Sequence, residues 1–79
     1  MDREVQIRKV LRELVDDPGS INANESMLDT GVLDSFSLTA LVAALEREFQ
    51  LKVPDSDLIP QRFESIARIQ DYLASRLDS

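Results

Sequence analysis

The apolar residues between positions 38 and 49 recur at the spacing of one helix face, and this pattern constrains the fold more than any other. They follow one another at intervals typical of a buried stripe: Leu38, Leu41, Val42, Leu45 and Phe49. No glycine or proline interrupts the stretch, and its alanines and leucines favour helix. With Asp34 or Ser35 as the N-cap, we expect a helix that runs to about Gln50.

Two further segments show helical spacing. The first extends from Arg3 to Val15, with Asp2 as its N-cap and residues 16–19 as a stop signal. The predicted buried face of this first helix consists of Ile7, Val10, Leu11, Leu14 and Val15. The last segment extends from about Ser65 to Leu77. Its apolar stripe consists of Ile66, Ile69, Leu73 and Leu77, with Ala67 and Tyr72 beside it.

The segments between these helices determine the remaining architecture. Residues 16–34 form a long polar connection whose recurring apolar side chains indicate attachment to the core. Gly31 can supply a positive φ just before the second helix. Residues 55–63 have room only for a short helix, because Pro60 either ends a helix or stands near its first position. We therefore predict an all-α fold, a small antiparallel four-helix bundle with three main helices, one short third helix and a long loop between helices one and two.

Composition narrows the possible functions. The 79 residues are enough for one domain, spanning 1–79. Cysteine and histidine are both absent, so no metal cluster or nucleophile–base pair can be assembled, and we expect neither a metal site nor an enzyme. The acidic residues after position 54 do not fit a calcium loop, because Pro60 stands where such a loop needs glycine.

Charge and hydropathy indicate the kind of partner. Fifteen acidic and nine basic residues give a net charge of -6, which disfavours nucleic acid and favours partners with basic patches. The basic residues of the first helix are interpreted as a solvated face: Arg3, Arg8, Lys9 and Arg12. Because no apolar run is long enough to span a membrane and the N-terminus lacks the centre of a signal peptide, we expect a cytoplasmic protein.

The most distinctive segment places a serine, Ser35, at the start of the second helix. Its hydroxyl would lie outside the packed face, where another enzyme can reach it. Free backbone N–H groups and the positive end of the helix dipole would favour a phosphate ester there. Phe36, the next residue, is either an apolar entrance beside an attached group or part of the core. Taken alone, a serine after an aspartate is most simply an N-cap.

The residues around Ser35 resemble the acyl carrier and peptidyl carrier protein family. The family pattern combines a glycine-containing approach, Leu-Asp-Ser, further leucines, an acidic helix end, a phenylalanine and a Val/Ile-Pro exit. Residues 26–54 follow it as SMLDTGVLDSFSLTALVAALEREFQLKVP. Residues 57–66, DLIPQRFESI, are similar to the third helix of free-standing carriers. The resemblance therefore covers nearly the whole chain.

This resemblance implies that Ser35 is the attachment point of 4'-phosphopantetheine, with Asp34 and Phe36 beside the arm. A phosphopantetheinyl transferase would use coenzyme A and magnesium to esterify the Ser35 hydroxyl. The thiol of the arm would hold an acyl or aminoacyl group as a thioester and present it to loading and processing enzymes that contact the second helix. Since the chain shows no second apolar stripe, we expect a monomer.

Several positions depart from the fatty-acid carriers of this family. Ser37, Ala40 and Arg47 are neutral or basic where those carriers are often acidic, and Phe36 replaces a commoner leucine. These departures favour a carrier in polyketide, nonribosomal peptide or related secondary metabolism. Two alternatives stay open: an amino-acid carrier loaded by a discrete adenylating ligase, and an unmodified helical adaptor that binds a partner protein through the second helix.

Overall fold

In the computed structural model, which describes residues 3–78, four α-helices pack around one core and confirm the predicted all-α bundle. The helices are α1 (Arg3–Leu11), α2 (Ser35–Phe49), α3 (Pro60–Phe63) and α4 (Ile66–Leu77). Short 3-10 turns at Pro18–Ser20 and Asp55–Asp57 lie in the connections. Within the described residues, no helix is long and apolar enough to cross a bilayer.

The end of α1 was predicted wrongly. The helix ends at Leu11 rather than Val15, because the backbone tightens into a turn. The N–H groups of Glu13 and Leu14 donate to carbonyls only three residues back, at 3.2 and 2.9 Å. Leu14 and Val15 still pack against the core from this turn, which is why their spacing resembles that of a longer helix. The predicted N-cap, Asp2, lies outside the described residues.

The predicted bounds of α2 are confirmed, and the chain leaves the helix without a glycine. Gln50 takes the left-handed conformation at the C-terminal end, with φ of 52°. The Glu46 side chain then accepts a hydrogen bond from the Val53 N–H at 2.8 Å, which directs the exit segment back along the helix. The Val53 side chain is buried as a result.

Residues 55–63, whose structure the sequence left ambiguous, contain a 3-10 turn and the short helix α3. Pro60 stands at the first position of α3, where its missing N–H needs no partner. Ser65 caps α4, with its hydroxyl oxygen accepting from the Arg68 N–H at 3.1 Å. The predicted stripe of α4 needs one correction, since Leu77 is 40% exposed and Tyr72 is buried.

The core takes side chains from every helix and from the loops. Its buried apolar members are Ile7, Val10, Leu11, Ile21, Met27, Leu33, Leu41, Val42, Ala44, Leu45, Val53, Phe63, Ile66, Ile69, Tyr72 and Leu73. The long loop is also hydrogen-bonded to the start of α4. The Met27 N–H donates to the Glu64 carbonyl at 2.6 Å, and the Ala67 N–H donates to the Ala23 carbonyl at 2.8 Å. The loop is thus attached to the core, as expected.

Arg8 does not belong to a solvated face, contrary to the prediction. Its side chain is 22% exposed, and its Nη1 donates to the carbonyls of Pro18 at 2.6 Å and Ile21 at 2.8 Å. Its Nε donates to the Glu4 carboxylate at 3.2 Å. A guanidinium can satisfy several acceptors at once because its donors form a rigid fork. Arg8 therefore holds the beginning of the long loop against α1.

Tyr72 connects α4 to the segment that follows α2. Its hydroxyl donates to Asp57 Oδ2 at 2.9 Å and accepts from Arg76 Nη1 at 2.6 Å. Arg76 also donates to the Lys52 carbonyl at 2.8 Å. Burial, together with the hydrogen bond to Asp57, raises the pKa of the Tyr72 phenol, so it stays neutral at physiological pH. This network ties α4 to the connection between α2 and α3.

Candidate functional site

The start of α2 is arranged so that one residue anchors the chain, the next caps the helix and the third is presented to solvent. Leu33 is buried, and its N–H donates to the Met27 carbonyl at 2.9 Å. Gly31 has the predicted positive φ, 83°, in the turn before it. Asp34 is the N-cap, and Ser35 is the first residue of the helix. The buried Leu33 therefore anchors the start of α2 to the core, while the exposed Ser35 has no packing role.

Asp34 performs the capping that the sequence assigned to either Asp34 or Ser35. Its Oδ1 accepts from the Ser37 N–H at 2.8 Å. That backbone hydrogen bond, with smaller contributions from the Ser37 side chain and the Phe36 N–H, lowers the pKa of Asp34 below its usual range. The expectation that first-turn N–H groups are free for a phosphate is wrong for Ser37, since Asp34 already occupies that donor.

Ser35 is exposed, and within residues 3–78 its hydroxyl forms no hydrogen bond. Its backbone carbonyl accepts from the Thr39 hydroxyl at 3.1 Å, a contact that belongs to the helix rather than to the Ser35 side chain. The simplest alternative role for Ser35, that of an N-cap, is excluded because Asp34 fills it. The Ser35 oxygen is thus an accessible hydroxyl with no task in the fold.

Phe36 is 86% exposed, so of its two predicted roles the core role is excluded. A phenylalanine at this exposure leaves a large apolar surface in water beside Ser35. Helix stability does not require it, because phenylalanine is an average helix former. The exposed ring is an apolar contact available to whatever approaches Ser35.

A groove begins one helical turn after Ser35, and it will be called the α2 groove. It has a volume of about 350 Å³ and is lined by Leu38, Thr39, Val42, Ala43, Glu46, Val53, Asp55, Leu58 and Phe63. Leu38 and Thr39 lie three and four residues beyond Ser35, so they share its side of the helix. The predicted apolar face of α2 includes only Leu38 and Val42 of this lining, and the sequence did not identify the far wall at Leu58 and Phe63. That wall depends on how α3 packs.

Comparison with known proteins shows what family has this arrangement. A family model described as "Phosphopantetheine attachment site" matches residues 5–73. The chain belongs to this family. It is a carrier protein with an all-α carrier fold, and the cofactor of the family is covalently attached phosphopantetheine.

Individual relatives and one solved structure agree with this assignment. An acyl carrier protein of Bdellovibrio bacteriovorus is 30% identical over 67 residues, which cover 85% of this chain and 83% of the relative. A D-alanyl carrier protein of Streptococcus mutans is 35% identical over 57 residues, 72% of each protein. The solution structure of a holo acyl carrier protein from Nitrosomonas europaea matches with a TM-score of 0.85 at 22% identity, covering 100% of both chains, and supports the fold.

The capping hydrogen bond gives the carrier a defined response to acid. Because the pKa of Asp34 is lowered in the folded state, its contribution to stability is fully present above the unfolded aspartate pKa of about 3.9. The contribution is lost as pH falls through the lower folded value. We expect urea midpoints at pH 7, 4 and 2.5 to fall more for the parent than for Asp34→Asn, since asparagine caps a helix but does not titrate. Parallel midpoints over this range would contradict the expectation.

Proposed function

We propose that Ser35 accepts the phosphopantetheine arm and that this carrier presents a covalently tethered acyl or aminoacyl intermediate to successive enzymes. The observation that carries the proposal is the exposed Ser35 hydroxyl, which neither caps the helix nor forms another hydrogen bond in the described chain. The proposed carrier domain spans 1–79 and performs no catalysis itself. Transfer of the arm from coenzyme A to Ser35 is assigned to a phosphopantetheinyl transferase that needs magnesium, acting in the cytoplasm.

The residues at this end of α2 fit such a group. The Ser35 hydroxyl can form the ester without loss of a hydrogen bond within the described chain. The neighbouring Phe36 ring can contact the apolar part of the arm or the transferase. When attached, the arm supplies a terminal thiol that carries the cargo as a thioester. Asp34 keeps the helix start rigid while a partner binds, and the α2 groove begins one turn away to receive an apolar cargo. Tethering raises the effective concentration of the cargo at each enzyme.

The proposed pathway is polyketide, nonribosomal peptide or related secondary metabolism. Along α2, residues 37, 40 and 47 present a serine, an alanine and an arginine, so this partner-facing helix is less acidic than the net charge suggests. Arg47 is exposed and pairs with Glu13 at 3.3 Å. A partner that binds this face of α2 would depend on apolar contact with Phe36 more than on charge.

A second candidate is an amino-acid carrier loaded by an adenylating ligase. It is favoured by the similarity to D-alanyl carrier proteins, of which that from Streptococcus mutans is 35% identical. The two candidates share the attachment site and differ in cargo.

The test is the intact mass of the purified chain after incubation with coenzyme A, magnesium and a promiscuous phosphopantetheinyl transferase. We expect a gain of one phosphopantetheinyl group, located by peptide mapping on the segment that contains Ser35. The modified chain is then offered ATP, D-alanine and a D-alanine-activating ligase. A second gain of mass favours the amino-acid carrier. Failure of the first gain in a folded sample would leave an unmodified adaptor as the function.

A further inference from the structure

A second groove, the arginine groove, lies where α3 meets α4. It has a volume of about 420 Å³, and its lining includes Ile59, Arg62, Arg68, Asp71 and Tyr72. Leu58 lines the α2 groove and Ile59 lines the arginine groove, so these two residues separate one groove from the other. Ile59 is 41% exposed and gives the arginine groove an apolar wall.

Both arginines of this groove are available to bind an anion. Four other arginines form ion pairs: Arg3, Arg8, Arg47 and Arg76. Within residues 3–78, Arg62 and Arg68 form none, and neither pairs with Asp71. The Arg62 guanidinium carbon lies 5.8 Å from the centroid of the Tyr72 ring. This cation–π contact holds the Arg62 side chain across the groove, and its ordering lowers the entropy lost on binding.

Arg68 occupies a position where the helix itself favours the opposite charge. Ser65 is the N-cap of α4, so Arg68 is its third helical residue. A cation in the first turn opposes the helix dipole, and a glutamate there would complete a capping box with Ser65. Departures from local stability rules are expected at functional or strained sites. Arg68 lines the same groove as Arg62 and adds a second positive charge to it.

We propose that the arginine groove binds an acidic segment of a partner enzyme. Two arginines against one carboxylate leave the groove net positive on a chain whose net charge is -6. The overall charge lowers the local concentration of free small anions. An acidic segment that belongs to a docked protein is instead delivered at high effective concentration. The exposed Ile59 adds an apolar contact that a peptide can use and an inorganic anion cannot. Because the interaction needs no group on Ser35, it is tested on the unmodified chain.

The probe is a capped hexapeptide with four glutamates around a central leucine–phenylalanine pair, titrated into the ¹⁵N-labelled chain. We expect saturable shifts confined to residues 59–62 and 68–75. Arg62→Glu with Arg68→Glu should weaken binding about tenfold, since each exposed ion pair contributes only modestly. This variant should stay folded, because glutamate at position 68 suits the helix start. Asp71→Asn should tighten binding by about twofold by removing the single opposing carboxylate.

Controls test whether binding depends on the charge and the apolar wall of the arginine groove. Arg12→Glu with Lys52→Glu changes the net charge by the same amount at two exposed residues outside the groove and should leave the affinity within about twofold. Raising the salt concentration should weaken binding through screening. The proposal is overturned by equal shifts with a peptide that has lysines in place of the glutamates. Equal shifts with inorganic phosphate at matched ionic strength overturn it as well, because they show a simple anion site.

Discussion

Replacing Ser35 with alanine is expected to abolish phosphopantetheine attachment completely, because the variant lacks the Oγ that would form the phosphate ester. The loss should occur without loss of structure. Asp34 still caps the helix by accepting a hydrogen bond from the Ser37 N–H. The Ser35 hydroxyl forms no hydrogen bond within the described chain, so the variant removes none. Alanine is also the strongest helix former, so the free energy of unfolding should change by no more than about 0.5 kcal/mol.

The matched control is Ser37→Ala, which removes the other serine hydroxyl of this turn. It keeps the backbone N–H that Asp34 accepts, so it should be modified to the same extent as the parent. Intact mass after transferase treatment measures both variants, and circular dichroism checks that both are folded. Attachment that survives Ser35→Ala, or disappears in Ser37→Ala, would move the site away from Ser35.

The largest loss of stability is expected from Phe63→Ala. Phe63 is 1% exposed, contacts the Tyr72 ring edge-to-face with centroids 5.1 Å apart, and lines the α2 groove. Truncating a buried phenylalanine costs about 3–5 kcal/mol. A domain of this length has a free energy of unfolding of about 4–12 kcal/mol, so the substitution should remove a large part of it. Urea denaturation followed by circular dichroism should show a markedly lower midpoint.

Phe36→Ala is the matched control for Phe63→Ala, since the same side chain is removed from the surface. Phe36 is 86% exposed, and its loss should change the unfolding free energy by no more than about 0.5 kcal/mol. The two variants therefore separate the two roles of phenylalanine in this chain. Similar midpoints for both would show that α3 contributes little to the core.

Most of the fold follows from spacing and capping signals that act within a few residues. The limits of α2 were predicted because a capping residue, Asp34 or Ser35, stands directly before its apolar stripe, and those of α4 because its apolar residues recur at helical spacing. The end of α1 was missed because a tight turn can place Leu14 and Val15 on the core as well as a helix can. Arg8 was misjudged for a different reason: its acceptors at Pro18 and Ile21 are close only after the loop has folded back.

In the candidate site too, the features that depend on adjacent residues could be predicted and those that depend on distant contacts could not. Asp34 could be named as a candidate cap because capping depends on adjacent residues, and the continuous family pattern around Ser35 predicts the attachment point, which stays a prediction. The exposure of Phe36 could not be identified, since an apolar residue at a helix start fits the core as well as the surface. The grooves were out of reach because each combines residues from separate segments, such as Arg62 with Arg68.

Leu58 and Ile59 give the carrier a property that neither groove has alone. The two residues are joined by one planar peptide group, and Pro60 restricts the backbone that follows. A ligand in one groove that displaces this short backbone segment would therefore also alter a wall of the other groove. For any such displacement, thermodynamic linkage would make the effects of the proposed cargo and the proposed groove ligand on each other's affinity equal. In that case, loading with cargo and binding of a partner would form one coupled equilibrium.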